Sequence, residues 1–284
     1  MDKDLQSPLV DAEWLLERLG SPDVVILDGT FFLPNQGRDA KQEYAAAHIP
    51  GARFFDIDGV ADQNSPLPHM LPSPEVFAAS VGQLGIDNQT RVVVYDSNNF
   101  MASARVWWTF RVFGHERVSV LDGGLSIWKA KGLPLDSSPV STEPCPFKAG
   151  LDANLVRNLE QMKALVGDAG TQIIDARSPG RFAGTEPEPR PGIRSGHIPG
   201  SRNLFFKNLV DDSTQCLKSA AELRQAFENA GTDFEKPIVT TCGTGVTASI
   251  LALGLYCLGN GSVAVYDGSW TEWASLSDTP VSVG

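Results

Sequence analysis

Short runs of β-branched and aliphatic residues alternate along this chain with segments whose apolar positions recur at helical spacing. Val24-Val25-Ile26-Leu27-Asp28, Arg91-Val92-Val93-Val94-Tyr95-Asp96, Gln172-Ile173-Ile174-Asp175 and Pro237-Ile238-Val239-Thr240-Thr241-Cys242 read as buried strands. Each stops at a residue suited to a turn or a site. Between them lie helix signals. Ser219-Ala220-Ala221-Glu222 is a capping box, and Leu223, Ala226, Phe227 and Ala230 share one face of the helix it opens. Ser73-Pro74 supplies an N-cap with proline at the first helical position, followed by Val76, Phe77 and Leu84 as apolar contacts. Ile250 to Leu258 is a nearly unbroken apolar helical pattern. Strands and helices in alternation predict an α/β fold, a mainly parallel sheet with helices on both faces.

The pattern occurs twice. Val24 to Asp28 matches Gln172 to Asp175, and His48-Ile49-Pro50-Gly51 matches His197-Ile198-Pro199-Gly200. Arg91 to Asp96 matches Pro237 to Cys242, and Asp122-Gly123-Gly124 with Trp128 matches Asp267-Gly268-Ser269 with Trp273. The four blocks keep their order at offsets of 145 to 149 residues, so two copies of one domain are expected. The copies are placed at 1–131 and 151–284. The Pro-, Ser- and Thr-rich stretch 132–150, which lacks periodicity, is read as their linker. Trp107, Trp108 and Trp128 read as core or domain-interface anchors rather than a ligand cage.

Composition narrows the class. The 284 residues suit two domains, and 42% hydrophobic with 20% charged residues is ordinary for a soluble globular protein. A net charge of −11 argues against nucleic acid or an anionic membrane as partner. An anionic small substrate therefore needs local cations. The four cysteines (Cys145, Cys216, Cys242, Cys257) form no CxxC pair, which points to a reducing compartment rather than a disulfide framework or zinc site. The N-terminal residues show neither signal-peptide nor transit-peptide character, and no apolar run reaches membrane-spanning length. A cytoplasmic protein is expected, or a mitochondrial one if a transit peptide has been removed.

The chemistry concentrates at Cys242-Gly243-Thr244-Gly245-Val246-Thr247. A strand ends in a thiol, two glycines free the backbone to turn, and a helix starts at once. At a helix start, the dipole and unpaired amide N–H groups stabilise negative charge on sulfur. Gly243 and Gly245 allow several of those amides to converge. The first copy has Asp96 at the Cys242 position and no glycine in Ser97 to Met101, so only the second copy can do thiol chemistry. Phosphatase chemistry needs an arginine six residues after the cysteine, where this chain has Ala248. A nucleotide P-loop also fails, since no Gly-Lys-Ser/Thr follows the glycines.

These blocks resemble the rhodanese-like sulfurtransferases over roughly residues 10 to 280, in the two-domain form with an inactive first copy. The Cys242 loop is similar to that of members acting on 3-mercaptopyruvate. Thiosulfate-specific members carry Arg and Lys just after the cysteine. The resemblance implies transfer of sulfur from 3-mercaptopyruvate through a Cys242 persulfide, with release of pyruvate. The acceptor would be a thioredoxin-like dithiol, a small thiol or cyanide, and no metal or organic cofactor is implied. Gly243, Thr244, Gly245, Val246 and Thr247 would stabilise the persulfide. Arg181 and Arg190, in a Pro/Gly-rich segment read as too irregular for a helix, would grip the substrate's carboxylate and keto oxygen. Asp58 and His69 would join the hydroxyl of Thr244 in a hydroxyl–His–Asp relay. His48 and His197 occur in both copies and so read as structural, as do Arg177 and Asp267-Gly268. Cys257 reads as core, and Cys145 and Cys216 as oxidisable surface thiols. Two other functions stay open. One is a thiosulfate sulfurtransferase. The other is a carrier whose persulfide is loaded by a cysteine desulfurase and handed to a partner.

Overall fold

The computed structural model describes residues 7–33, 36–98 and 100–284. The leader-peptide reading rests partly on residues 1–6, which lie outside the described residues, as does Asn99 in the loop after Asp96. The chain forms two compact units. The first comprises the chain through Gln63, Leu71–Asp152 and Asp212–Leu217; the second comprises Asn64–Met70, Ala153–Asp211 and Lys218–Gly284.

In the first unit β1 (Leu9–Val10), β2 (Val24–Asp28), β3 (Arg53–Phe54), β4 (Arg91–Tyr95) and β5 (Val118–Leu121) form a sheet in the order β1-β5-β4-β2-β3. Its helices are α1 (Ala12–Leu16), α2 (Ala40–Ala46), α3 (Ile57–Val60), α4 (Pro74–Gln83), α5 (Ser103–Val112) and α6 (Gly124–Ala130). The second unit repeats the plan. There β6 (Val156–Arg157), β7 (Gln172–Asp175), β8 (Arg202–Asn203), β9 (Ile238–Thr241) and β10 (Ala264–Tyr266) run in the order β6-β10-β9-β7-β8. Its helices are α7 (Leu159–Leu165), α8 (Pro179–Ala183), α9 (Ala220–Asn229), α10 (Ala248–Cys257) and α11 (Ser269–Ser275). Every pairing of these strands is parallel, with β2 and β4 registered over Val24–Arg91 to Asp28–Tyr95, and β7 and β9 over Gln172–Ile238 to Asp175–Thr241. The continuous apolar runs are thus central strands buried on both faces.

Each unit has its own core. Leu15, Ile49, Val93, Tyr95 and Trp128 cluster in the first; Met162, Ile198, Val239, Tyr266, Trp270 and Trp273 cluster in the second. Burial of each large side chain contributes about 2 kcal/mol. Trp107 and Trp108 are also fully buried, in keeping with core anchors. The repeated histidines do the same work in both units. His48 Nδ1 lies 2.8 Å from the Tyr44 carbonyl, and His197 Nδ1 lies 2.9 Å from that of Phe182. Each imidazole stacks on the ring of the same residue, at 4.3 and 3.8 Å. Each backbone also forms a one-residue bridge to the chain just beyond its unit's last helix, His48 to Asp136 after α6 and His197 to Ser282 after α11.

Both expected N-caps are present. Ser73 Oγ accepts from the Val76 amide, and Ser219 and Glu222 complete a capping box. Val76 itself is 47% exposed, so the inner face of α4 is carried by Phe77 and Val81. Residues 132–150 do not hang free. The Cys145 amide donates to Gly82 O at 3.0 Å, Lys148 N to Asn88 Oδ1 at 2.8 Å and Gly150 N to Phe113 O at 3.1 Å, while Phe147 packs on Phe77. A segment without periodicity is held here by hydrogen bonds to helix ends and loops of the first unit. Cys257 ends α10 half-buried rather than in the core. No helix among the described residues is long and apolar enough to cross a membrane.

Candidate active site

The central strand of the second sheet, β9, is buried along its whole length and delivers Cys242 as the first residue beyond it. Loops following β7, β9 and β10 leave the same edge of the sheet, at the carboxyl ends of parallel strands where open α/β sheets bind ligands. Cys242 is a free thiol with 2% exposure. Its amide donates to Ser269 Oγ at 3.2 Å, and its carbonyl accepts from Trp270 N at 3.0 Å. Gly243 O accepts from the amide and the hydroxyl of Thr271, at 2.9 and 2.7 Å. Both ends of the thiol's peptide are therefore tied to the start of α11.

From Gly243 to Thr247 the chain curls into α10, with Gly245 at φ +77°. Glycine alone adopts that conformation without strain. Among the described residues none of the five amides from Gly243 to Thr247 donates a hydrogen bond. Buried or half-buried amides without acceptors are uncommon, and five in succession at a helix start form a receptor for an anion. Ser269 adds a strained support. It is fully buried at φ +50°, with its hydroxyl donating to Tyr266 O at 2.7 Å while accepting the Cys242 amide. A serine held there costs on the order of 1–3 kcal/mol.

Arg181 meets this loop. A Cβ built on Gly243 would lie 3.0 Å from Arg181 Nη2, so the guanidinium occupies the space that a side chain at 243 would fill. The segment carrying Arg181 is helical, contrary to the expectation of irregular chain. Ser178 caps α8, Pro179 starts it and Gly184 at φ +78° ends it, so the same Pro and Gly residues punctuate a short helix. Arg181 Nε and Nη2 donate to Glu188 at 3.3 and 2.6 Å. Glu188 also accepts from Arg177 Nη1 at 2.8 Å. Arg177, with no side-chain exposure, pairs with Asp175 at 2.6 Å and stacks 4.4 Å over Trp270. Burial works against the charge of Arg177, but the carboxylates of Asp175 and Glu188 outweigh it and hold the guanidinium protonated.

Arg190 is partly exposed and makes no ion pair or hydrogen bond among the described residues. Its guanidinium is available to a ligand. The relay residues are divided between the units. Asp58 belongs to α3 of the first, whereas His69 lies in Asn64–Met70, which clusters with the second unit, as does Thr244. His69 is 7% exposed and sits at φ +61°, a conformation rare for a non-glycine residue. The Thr244 hydroxyl makes no hydrogen bond among the described residues.

A family model, the rhodanese-like domain, matches residues 11–131 and again residues 158–276. The chain belongs to the rhodanese-like family. It is 47% identical over 295 aligned positions to "Thiosulfate/3-mercaptopyruvate sulfurtransferase 1, mitochondrial" of Arabidopsis thaliana, covering 96% of this chain and 78% of that one. It is 45% identical to 3-mercaptopyruvate sulfurtransferase of Homo sapiens, covering 93% of this chain and 91% of that protein. Among solved structures it is similar to SseA from Escherichia coli, described as a 3-mercaptopyruvate sulfotransferase, with a TM-score of 0.85. That match has 39% identity and covers 93% of this chain and 99% of that one.

The two rhodanese-like domains treat the loop after the central strand differently. Asp96 turns its carboxylate into its own loop and, among the described residues, accepts four amides: Asn98 at 3.1 Å, Phe100 at 3.2 Å, Ala102 at 3.1 Å and Ser103 at 2.8 Å. The amides of the first copy's loop are thus already satisfied by a carboxylate of the same loop. Of three residues around the open one, Ser269, Arg177 and Glu188, sequence reasoning read Arg177 as structural and gave the other two no role at the site. The repeat held a signal for the first two, because Gly124 and Thr30 stand at the matching positions of the silent copy. At Gly124 a Cβ would collide with the Asp96 carbonyl oxygen. Glu188 had no such signal, since an acidic residue between Arg181 and Arg190 reads as an ordinary surface ion-pair partner.

Proposed function

We propose that this chain transfers sulfur from 3-mercaptopyruvate through a persulfide on Cys242. The observation that carries the proposal is the buried Cys242 thiol beside five unpartnered amides, with the Arg181 guanidinium against Gly243. The Cys242 thiolate attacks the thiol sulfur of the donor. The new S–S bond forms as the bond between that sulfur and C3 of the donor breaks. The electron pair passes to pyruvate enolate, which then takes up a proton. The open amides hold negative charge on the outer sulfur, the role that N–H groups play in an oxyanion hole. Arg181 and Arg190 bind the carboxylate and keto oxygen of the 2-oxo acid. His69, with Thr244 and with Asp58 as third relay member, supplies the proton to the enolate.

The second half-reaction returns the cysteine. A thiol or cyanide attacks the outer sulfur of the persulfide, and the Cys242 thiolate leaves. The four free thiols suit a reducing compartment such as the cytosol, where a thioredoxin-like dithiol is the expected acceptor. Intact mass spectrometry after treatment with mercaptopyruvate tests the reading. One added sulfur, about 32 Da, should map to Cys242. A label on Cys145 or Cys216 instead would sink the assignment. The donor is tested by comparing kcat/KM on mercaptopyruvate and thiosulfate with cyanide as common acceptor. With glycine and threonine after Cys242 and no cation there, mercaptopyruvate should be favoured; a higher value on thiosulfate would replace it as donor. Slow turnover on both, with rapid loading from a cysteine desulfurase, would make the chain a persulfide carrier.

A further inference from the structure

Arg181 is fixed by a partner that lies away from the thiol. Two of its three guanidinium nitrogens, Nε and Nη2, are committed to Glu188, and the third, Nη1, makes no hydrogen bond among the described residues. The Glu188 side chain is only 4% exposed and accepts three N–H donors, two from Arg181 and one from Arg177. Arg177 cannot yield, because Asp175 holds it through Nε and Nη2, Gly196 O accepts from it at 2.8 Å, and Trp270 lies under its plane. Trp270 is in turn the residue whose amide holds the Cys242 carbonyl. The contacts close a ring: Cys242, Trp270, Arg177, Glu188, Arg181, Gly243 and back to Cys242.

Charge within this ring cancels. Asp175 and Glu188 offset Arg177 and Arg181, so attraction to a bound anion at Arg181 depends on where its free N–H group points more than on net charge. An arginine side chain carries about 2 kcal/mol of rotamer entropy. Holding it in one geometry before the ligand arrives removes most of that cost from binding.

We infer that Glu188 is a positioning residue which aims the free edge of Arg181 at the carboxylate of a 2-oxo acid donor, and so sets the preference for donors that carry a carboxylate. The inference rests on the mercaptopyruvate reading above. In this arrangement Gly243 does more than free the backbone: a Cβ there would lie 3.0 Å from Nη2 and press on the guanidinium that Glu188 holds. A donor whose anionic group is not a planar carboxylate at that position gains less from the aimed arginine.

The test is a double-mutant cycle read by binding of pyruvate, the carboxylate-bearing product, in isothermal titration of the full chain. Glu188→Gln should weaken pyruvate about tenfold, and Arg181→Ala by at least as much. In the Arg181→Ala background, Glu188→Gln should cost less than about twofold, because its effect passes through the arginine. A second readout is persulfide loading. Glu188→Gln should lower kcat/KM for mercaptopyruvate about tenfold through KM, and change that for thiosulfate less than about threefold. Equal losses on both donors would show a merely structural role and overturn the inference, as would full, independent loss in the Arg181→Ala background. Wild-type protein that binds pyruvate but takes no sulfur from mercaptopyruvate would fail the donor reading alone, and the binding cycle would still decide the role of Glu188.

Discussion

In the first unit the loop after the central strand closes around its own Asp96 carboxylate, while in the second the corresponding loop leaves its amides open beside Cys242. The strands leading into the two loops are equally buried, and each loop's first carbonyl accepts an amide from the helix that follows the next strand: Leu125 N for Asp96, Trp270 N for Cys242. In the first copy a carboxylate of the chain itself satisfies the loop amides, whereas the amides of the Cys242 loop have no acceptor among the described residues. The difference also has a backbone side. Among the described residues, the left-handed one is Gly245 in the open loop and Phe100 in the closed one, where the aspartate's hydrogen bonds offset the strain.

The sharpest way to break this comparison is to turn one loop into the other. Cys242→Asp should abolish sulfur transfer, by at least about 10³-fold, because no nucleophile remains. It should also raise the Tm by about 3 °C if the new carboxylate fills the cradle as Asp96 does. A lower Tm would mean that the loops are not equivalent. Asp96→Ala should cost about 3–4 kcal/mol in urea unfolding, since buried amides lose a charged acceptor. A cost below about 1 kcal/mol would remove the carboxylate's role in closing the loop.

The first unit should also be the acid-sensitive one. His115 is buried between Phe110 and Phe147, and burial lowers its pKa from 6.5 to about 4. The unfolded chain therefore binds the proton first as pH falls. The stability present above pH 6.5 is lost between there and about pH 4, by about 3 kcal/mol. His115→Gln should flatten the pH dependence of urea unfolding over that window, and an unchanged slope would exclude His115 as its source. In the second unit, Arg190→Ala should raise KM for mercaptopyruvate about thirtyfold with little change in kcat, as loss of uniform carboxylate binding requires. His69→Ala should lower kcat about tenfold and leave KM near its original value. Unchanged turnover in that variant would end its role as proton donor.

Much of this molecule was legible along the chain because its signals are local. Alternating strand and helix patterns, Ser219-Glu222 and Ser73-Pro74 caps, the repeat, and a thiol at a strand-to-helix turn each depend on neighbours a few residues away. The repeated His48 and His197 blocks were legible as structural for the same reason. That 132–150 is hydrogen-bonded to Gly82, Asn88 and Phe113 was not legible, because irregular chain has no periodic signature whether it hangs free or is held. Nor did sequence order foretell that Asn64–Met70 clusters with the second unit and Asp212–Leu217 with the first.

By itself, then, the sequence determined that there are two α/β copies and that only the second sets a thiol, Cys242, at the start of the helix after its central strand, α10. Tertiary structure alone decided what surrounds that thiol. Arg177, Glu188 and Ser269 reach the site from the ends of β7 and β10 and the turn beyond α8, strands and loops that lie side by side only after the sheet forms. A carboxylate such as Glu188 has the same local signature whether it faces water or bridges two arginines. Its meaning comes from long-range neighbours and from the burial that strengthens their charges.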